Sequence, residues 1–146
     1  MTLRFLCIAK SDEKTEAGVL PDPQMFTAMG EFIEEMTKSG VLLATEGLHP
    51  SSKAARVRLA DGKLSVTDGP FAEAKEVIAS YALIEVQSKE EAIENVARFL
   101  KIAGGGEAEI YQVYEASDFP PEVFPPEEAA REEALRAEMQ RNAAKR

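Results

Sequence analysis

Two short polar segments, residues 46–49 and 68–76, carry the side chains best suited to moving a proton. Asp68 can act as a general acid or base, or anchor a ligand. His49 is the only histidine of the chain, and its imidazole is the side chain that titrates near neutral pH without a shift. If the loop around His49 lies beside Asp68, the two form a proton-transfer pair. If the protein is an enzyme, we therefore predict Asp68 and His49 as its catalytic residues. The alternative for His49 is a solvent-exposed loop residue.

Four neighbouring side chains are predicted to contact a ligand. Lys75 would bind an anionic substrate or pair with Asp68, and Phe71 would form a pocket wall. Glu46 is a second carboxylate, and Tyr81 brings a hydroxyl on a long apolar strand. Each also has an ordinary alternative as a core or surface side chain. For Asp68 the alternative is that its carboxylate bonds the backbone amides of its own turn, towards Phe71.

Other chemistries find little support in these residues. One Cys and one His cannot build the usual zinc site. The three glycines at residues 104–106 follow a helix instead of opening one after a strand, so they do not form a phosphate loop. Cys7 lies in an apolar run without an activating base and resembles a buried hydrophobic residue. We expect no metal and no cofactor.

Composition narrows the class of protein. The 146 residues make about one domain, and a 45% hydrophobic content can bury a core. The net charge of −9 argues against binding to nucleic-acid phosphates or to an anionic membrane surface. A single cysteine excludes an intramolecular disulfide, and neither a signal peptide nor a membrane span is apparent. A cytoplasmic location is the expectation.

Two apolar strands and two amphipathic helices are predicted to position these residues. Residues 3–10 and 77–86 alternate with apolar side chains on both faces. Helices are expected to begin at Asp22 and at Ser88, each followed by an apolar stripe, and residues 41–44 and 107–114 are predicted as shorter strands. The polar segment 11–20 is predicted as a loop. The Asp61-Gly62 pair lies between two alternating runs, residues 56–60 and 63–67, and predicts a β-hairpin.

The order of these elements is β-α-β, hairpin, β-α-β, which predicts an α+β, ferredoxin-like split βαβ fold with an inserted hairpin. Both helices would cover one face of an antiparallel sheet. The other face is also apolar, so we expect a second copy to cover it in a homodimer. The predicted domain spans residues 1–117. Residues 118–146 would form a Pro-rich linker and a charged helix, which either lies on the surface or binds a partner.

A resemblance to a known family rests on the run VTDGPFAEAKE, residues 66–76. This run resembles the signature of the DGPF-type branch of the YCII-related family. Residues 46–50, 88–97, 105–110 and 114–119 resemble further segments of that family, so the resemblance covers about residues 1–119. It implies a dimeric α+β barrel of the ferredoxin-like kind.

The resemblance also implies functional expectations. Function in the family is mostly uncharacterised, and some similar domains are fused to, or encoded beside, extracytoplasmic-function sigma factors. A distant YCII relative is a dehydrochlorinase of chlorinated hydroquinones, with a His–Asp pair as its proposed chemistry. YCII proteins usually carry that His between the first strand and the first helix, where this sequence has Val19, Leu20, Pro21 and Asp22.

Two functions therefore stay open. One is a homodimeric binding or regulatory module, with a small-molecule ligand and a sigma factor as partners. The other is a cofactor-independent lyase or hydrolase acting on a small cyclic or aromatic compound, with Asp68 moving the proton. The enzyme predicts that Asp68 and a partner lie within hydrogen-bond reach in one cleft. A third, simpler hypothesis is a structural dimer that binds no ligand.

Overall fold

The computed structural model of the chain describes residues 1–73 and 76–145. It has two compact units, Met1–Val113 and Tyr114–Arg146. The strands are β1 (Leu3–Lys10), β2 (Leu42–Gly47), β3 (Ala55–Ala60), β4 (Lys63–Asp68), β5 (Ile78–Val86) and β6 (Ala108–Gln112). The helices are α1 (Glu13–Glu16), α2 (Pro23–Lys38), α3 (Lys89–Ala103) and α4 (Pro126–Ala144).

Four strands form one antiparallel sheet in the order β2-β5-β1-β6. The two runs that are apolar on both faces, β1 and β5, are its central strands. This order is that of the split βαβ, ferredoxin-like pattern. The predicted α+β fold is therefore confirmed at this level.

The core lies between this sheet and the helices. Phe5 and Cys7 of β1 are paired with Ile84 and Ala82 of β5, and the core is completed by Ala92 of α3. Alternation along the strands places these side chains on one face, as predicted from the sequence. The opposite face, which we call the open face, carries Leu6, Ile8, Tyr81, Leu83 and Tyr111 by the same register.

Local capping sets the helix boundaries. Asp22 accepts a hydrogen bond from the Met25 amide at 2.9 Å, and Pro23 occupies the first helical position of α2. Ser88 accepts from the Glu91 amide at 3.1 Å to begin α3, and Gly104 ends α3 with φ 87°. Both predicted helix starts are confirmed.

Two local expectations differ from the structure. The segment 11–20, predicted as a loop, contains the single-turn helix α1. Asp12 caps this helix by accepting from the Thr15 amide at 2.7 Å, and one turn is too short to show an apolar period. β2 also runs to Gly47, beyond residue 44, because Glu46 and Gly47 pair with Tyr81 and Ser80 of β5.

Strands β3 and β4 form a separate two-stranded sheet. Asp61 (φ 52°) and Gly62 (φ 75°) make the turn, as the Asp-Gly pair predicted. Val57 pairs with Val66, and Leu59 with Leu64. Every residue of both six-residue strands is exposed.

The second unit contains α4 and an aromatic cluster. The Phe119 ring lies 4.7 Å from that of Tyr114 and 6.0 Å from that of Phe124, measured between centroids. α4 has no buried residue. Among the residues described, no helix is long and apolar enough to cross a membrane.

Candidate functional site

An apolar cavity of about 420 Å³ lies between α2, α3 and the sheet. The α2 wall includes Phe26, Met29 and Ile33, and the α3 wall includes Val96 and Phe99. These are the apolar stripes that make both helices amphipathic. The cavity is therefore part of the helix-covered face of the fold, and it falls within the size range of small-molecule sites.

Small residues on facing elements leave this space open. Ala9 of β1 is paired with Ala108 of β6, and Ala82 of β5 lies on the same face of the sheet. Gly30 of α2 also lines the cavity, and a Cβ placed on it would meet nothing within 4 Å. This cavity was not predicted from the sequence. The sequence feature that could have indicated the cavity is the set of alanines at strand positions that face the helices, together with a glycine within the apolar stripe of a helix.

A few polar groups line the cavity at its β2–β5 side. Glu46 and Tyr81, both predicted ligand contacts, are among the lining residues and are paired with each other. Strand alternation directs both of their side chains to the open face. Thr45 and Ser80 are directed to the cavity side, and the Thr45 hydroxyl donates to the Tyr81 carbonyl at 2.9 Å.

The structure does not bring Asp68 or His49 to this cavity. Asp68 is the last residue of β4 and is exposed. Its carboxylate makes no hydrogen bond or ion pair with any residue that the structure describes. His49 is exposed in the segment after β2, and Phe71 does not line the cavity either. Lys75 lies outside the described residues.

A buried serine organises the segment that contains Asp68. Ser51 is 2% exposed, and its amide and hydroxyl both donate to the Glu16 carboxylate, the amide at 2.9 Å. The Phe71 amide donates to Ser51 Oγ at 2.9 Å, and the Gly69 amide donates to the Ala54 carbonyl at 2.9 Å. The alternative in which Asp68 caps its own turn towards Phe71 is therefore not what the structure has. Residues 69–71 instead attach the base of the hairpin to the 3-10 turn at Ser51–Lys53.

A polar cluster occupies one end of the open face. Glu109 Oε1 accepts from Tyr111 Oη at 3.0 Å and lies 3.1 Å from Lys10 Nζ. The hydrogen bonds from Lys10 and then Tyr111 lower the pKa of Glu109, and the neighbouring carboxylate raises the pKa of Tyr111. This cluster was not predicted from the sequence, because Lys10 is distant along the chain from Glu109 and Tyr111. Within residues 1–73 and 76–145, no three acidic, His or Cys side chains are grouped to hold a metal ion.

The one cysteine lines the cavity in its neutral form. Cys7 is 9% exposed, and desolvation raises the pKa of its thiol from 9.0 to about 11. A thiol of this kind is a poor nucleophile at neutral pH. Cys7 therefore contributes packing and cavity wall, as expected from its sequence context.

This thiol predicts an alkaline loss of stability. The folded pKa lies above the unfolded value, so the native state holds the proton more tightly and stability is full below pH 9. It should fall by about 2 to 3 kcal/mol between pH 9 and pH 11. Urea unfolding at successive pH values measures this loss of unfolding free energy. The part of the loss that is due to the thiol should be absent in C7A. An equal loss of stability with rising pH in C7A and the wild-type protein would contradict the prediction.

Comparison with known proteins gives two matches. The model of the YCII-related domain matches residues 3–117 of this chain. An uncharacterised protein of Rhizobium meliloti (strain 1021) is 30% identical over 103 residues, which cover 68% of this chain and 82% of that protein. The first match contains the whole four-stranded sheet and both cavity-lining helices.

Proposed function

Since this chain belongs to the YCII-related domain family, we propose that it is a homodimeric module that binds a small, largely apolar molecule. The cavity of about 420 Å³ between α2, α3 and the sheet is the observation that carries this proposal. Ligand pockets are typically apolar concave sites with a few polar groups that fix the ligand's orientation. This cavity has that composition.

The side chains facing the cavity suggest an uncharged ligand. Thr45 and Ser80 on the sheet side, and Asn95 of α3, offer hydrogen bonds without a formal charge. The carboxylate of Glu46 is directed to the open face by strand alternation. A ligand charge buried here would lack a partner among the described side chains, and an unpaired buried charge is costly. A cyclic or aromatic compound with one or two hydroxyl or carbonyl groups fits this chemistry.

Filling the cavity tests this proposal. The uncharged fluorescent probe N-phenyl-1-naphthylamine should bind the wild-type protein with an increase in fluorescence. In G30F the new ring projects from α2 into free space at the cavity wall. The association constant of G30F for this probe should be at least about tenfold lower than that of the wild-type protein, a loss of about 1.4 kcal/mol in binding free energy.

A neighbouring substitution provides the control. Glu31 is exposed on the same helix and does not line the cavity, so E31F adds the same ring without filling the site. Equal binding by the wild-type protein and G30F would contradict ligand binding in this cavity. Equal losses in both variants would indicate damage to α2 instead.

The proposed homodimer uses the open face. Leu6, Ile8 and Leu83 lie on the face opposite the core side chains that α2 and α3 cover, and Tyr111 is 52% exposed. Large apolar patches on a protein surface commonly mark association sites, and two-fold pairing is the commonest solution. Two such sheets facing each other would make the dimeric α+β barrel that the family resemblance implies.

The remaining functional predictions stay proposals. The enzyme alternative needs Asp68 and a partner within one cleft, and it stays a proposal because Lys75, one predicted partner, lies outside the described residues. A link to a sigma factor has the family resemblance as its support. The proposed compartment is the cytoplasm, which the unpaired thiol of Cys7 favours.

A further inference from the structure

We propose that the β3–β4 hairpin is a dimerisation arm whose apolar face packs on a second copy of this chain. This inference rests on the proposed homodimer and adds a second contact surface to it. The apolar face is formed by four cross-strand neighbours: Val57, Leu59, Leu64 and Val66. They are between 61% and 72% exposed. None of them serves the core of their own unit.

An uncovered hairpin of this kind is unfavourable. A two-stranded hairpin alone in water is marginally stable at best, and it becomes stable when its apolar face packs against another layer. Here the strands form a sheet of their own and expose all of their residues. Such exposed strands also invite non-specific aggregation unless a defined surface covers them. Packing against a defined partner surface would both stabilise the hairpin and protect its strands from aggregation.

The base of the hairpin is held in place. The Gly69 amide bonds to the Ala54 carbonyl across the base, and the Phe71 amide bonds to buried Ser51. The Phe71 ring lies under the Arg56 guanidinium, 4.3 Å from its carbon to the ring centroid. These contacts present the hairpin in one direction, so a partner that binds it meets an ordered surface and the entropic cost of association is smaller.

The length of the hairpin matches the width of the four-stranded sheet in a second copy of the chain. Six residues of β-strand span about 20 Å, and a four-stranded sheet is about 19 Å wide. One arm is therefore about as long as the sheet of a second copy is wide. A stable interface takes about 20 to 30 residues from each partner, and the apolar face of the two arm strands supplies about a quarter of that number. The open face supplies the rest.

Charge complementarity favours a second copy over other partners. The hairpin face opposite the apolar one carries Arg56, Arg58 and Lys63. Residues 53–67 contain four cations and one carboxylate, whereas the whole chain has a net charge of −9. A basic arm on an acidic chain is attracted to another copy of that chain. An anionic membrane attracts the arm but repels the rest of the protein.

The test compares dimer dissociation constants by sedimentation equilibrium. In V57T/L64T two exposed apolar side chains become polar while strand propensity is kept. The symmetric dimer loses both arms, so its dissociation constant should rise by about 100-fold or more. V19T/L20T makes the same changes at residues that are also exposed, 59% and 82%, and should dissociate as the wild-type protein does. Far-UV circular dichroism shows that all three are folded.

Each other outcome is decisive. A wild-type protein that stays monomeric overturns the homodimer and the arm together, while the cavity proposal is judged separately by G30F. A wild-type dimer matched by an equally tight V57T/L64T dimer overturns the arm alone. Binding of the wild-type protein, but not of V57T/L64T, to phosphatidylglycerol vesicles overturns the choice of a second copy as the occupant.

Discussion

Replacing Gly69 with alanine is expected to lower the free energy of unfolding by about 3 kcal/mol or more. A Cβ on Gly69 would lie 1.7 Å from the Ser51 carbonyl oxygen and 2.7 Å from its carbon. Both are backbone atoms of a residue that is 2% exposed, so neither can rotate away as a side chain could. Overpacking of this kind commonly costs about 1 to 3 kcal/mol and sometimes more. Urea unfolding followed by circular dichroism measures the change.

A glycine-to-alanine substitution at residue 30 should instead increase the free energy of unfolding. Gly30 lies inside α2, and a Cβ there meets nothing within 4 Å. G30A should therefore raise the unfolding free energy by about 0.5 to 1 kcal/mol, the usual gain for this substitution in a helix. A G69A protein as stable as the wild-type protein would show that the turn does not sit against Ser51.

Replacing Ser51 with alanine should cost about 2 to 3 kcal/mol. The Ser51 hydroxyl donates to Glu16 and accepts from the Phe71 amide, so its loss leaves a carboxylate oxygen and an amide without this partner. Groups orphaned in a buried site cost about 1 to 3 kcal/mol each, more when one is charged. Chemical unfolding at neutral pH gives the measurement.

The adjacent serine and a double-mutant cycle complete this test. Ser52 is exposed, so S52A should change stability by no more than about 0.5 kcal/mol. Combining S51A with E16Q should cost less than the sum of the two single losses, because both remove one shared contact. Additive losses would show that Glu16 and Ser51 stabilise the fold independently.

Together these two variants would assign a structural role to the Asp-Gly-Pro-Phe segment. Gly69 permits close approach of two backbone segments, and Phe71 brings an amide and a ring that hold the hairpin base. Packing would then explain this specific sequence motif. The cavity between α2, α3 and the sheet would be the better place to look for a ligand.

The fold could be predicted from the sequence because its determinants are local. Alternation in residues 3–10 and 77–86 identified the two central strands, and the Asp22 and Ser88 caps located the two main helices. The Asp-Gly turn located the hairpin. Each of these signals acts over a few residues, through backbone sterics or a capping hydrogen bond. The order of the elements then limits the topology to very few choices.

The site depended on contacts between distant residues, which only the tertiary structure decided. Ser51 contacts Glu16, 35 positions away, and Phe71, 20 positions away. Contacts at such separations produce no periodic pattern in the sequence. The cavity likewise arises from Ala9, Ala82 and Ala108 on three strands facing Gly30 on a helix. Small residues do not reveal by their type whether a neighbour fills the space above them. Sequence alone determined the elements and their order, whereas the empty volume and the buried polar contacts were decided when those elements packed.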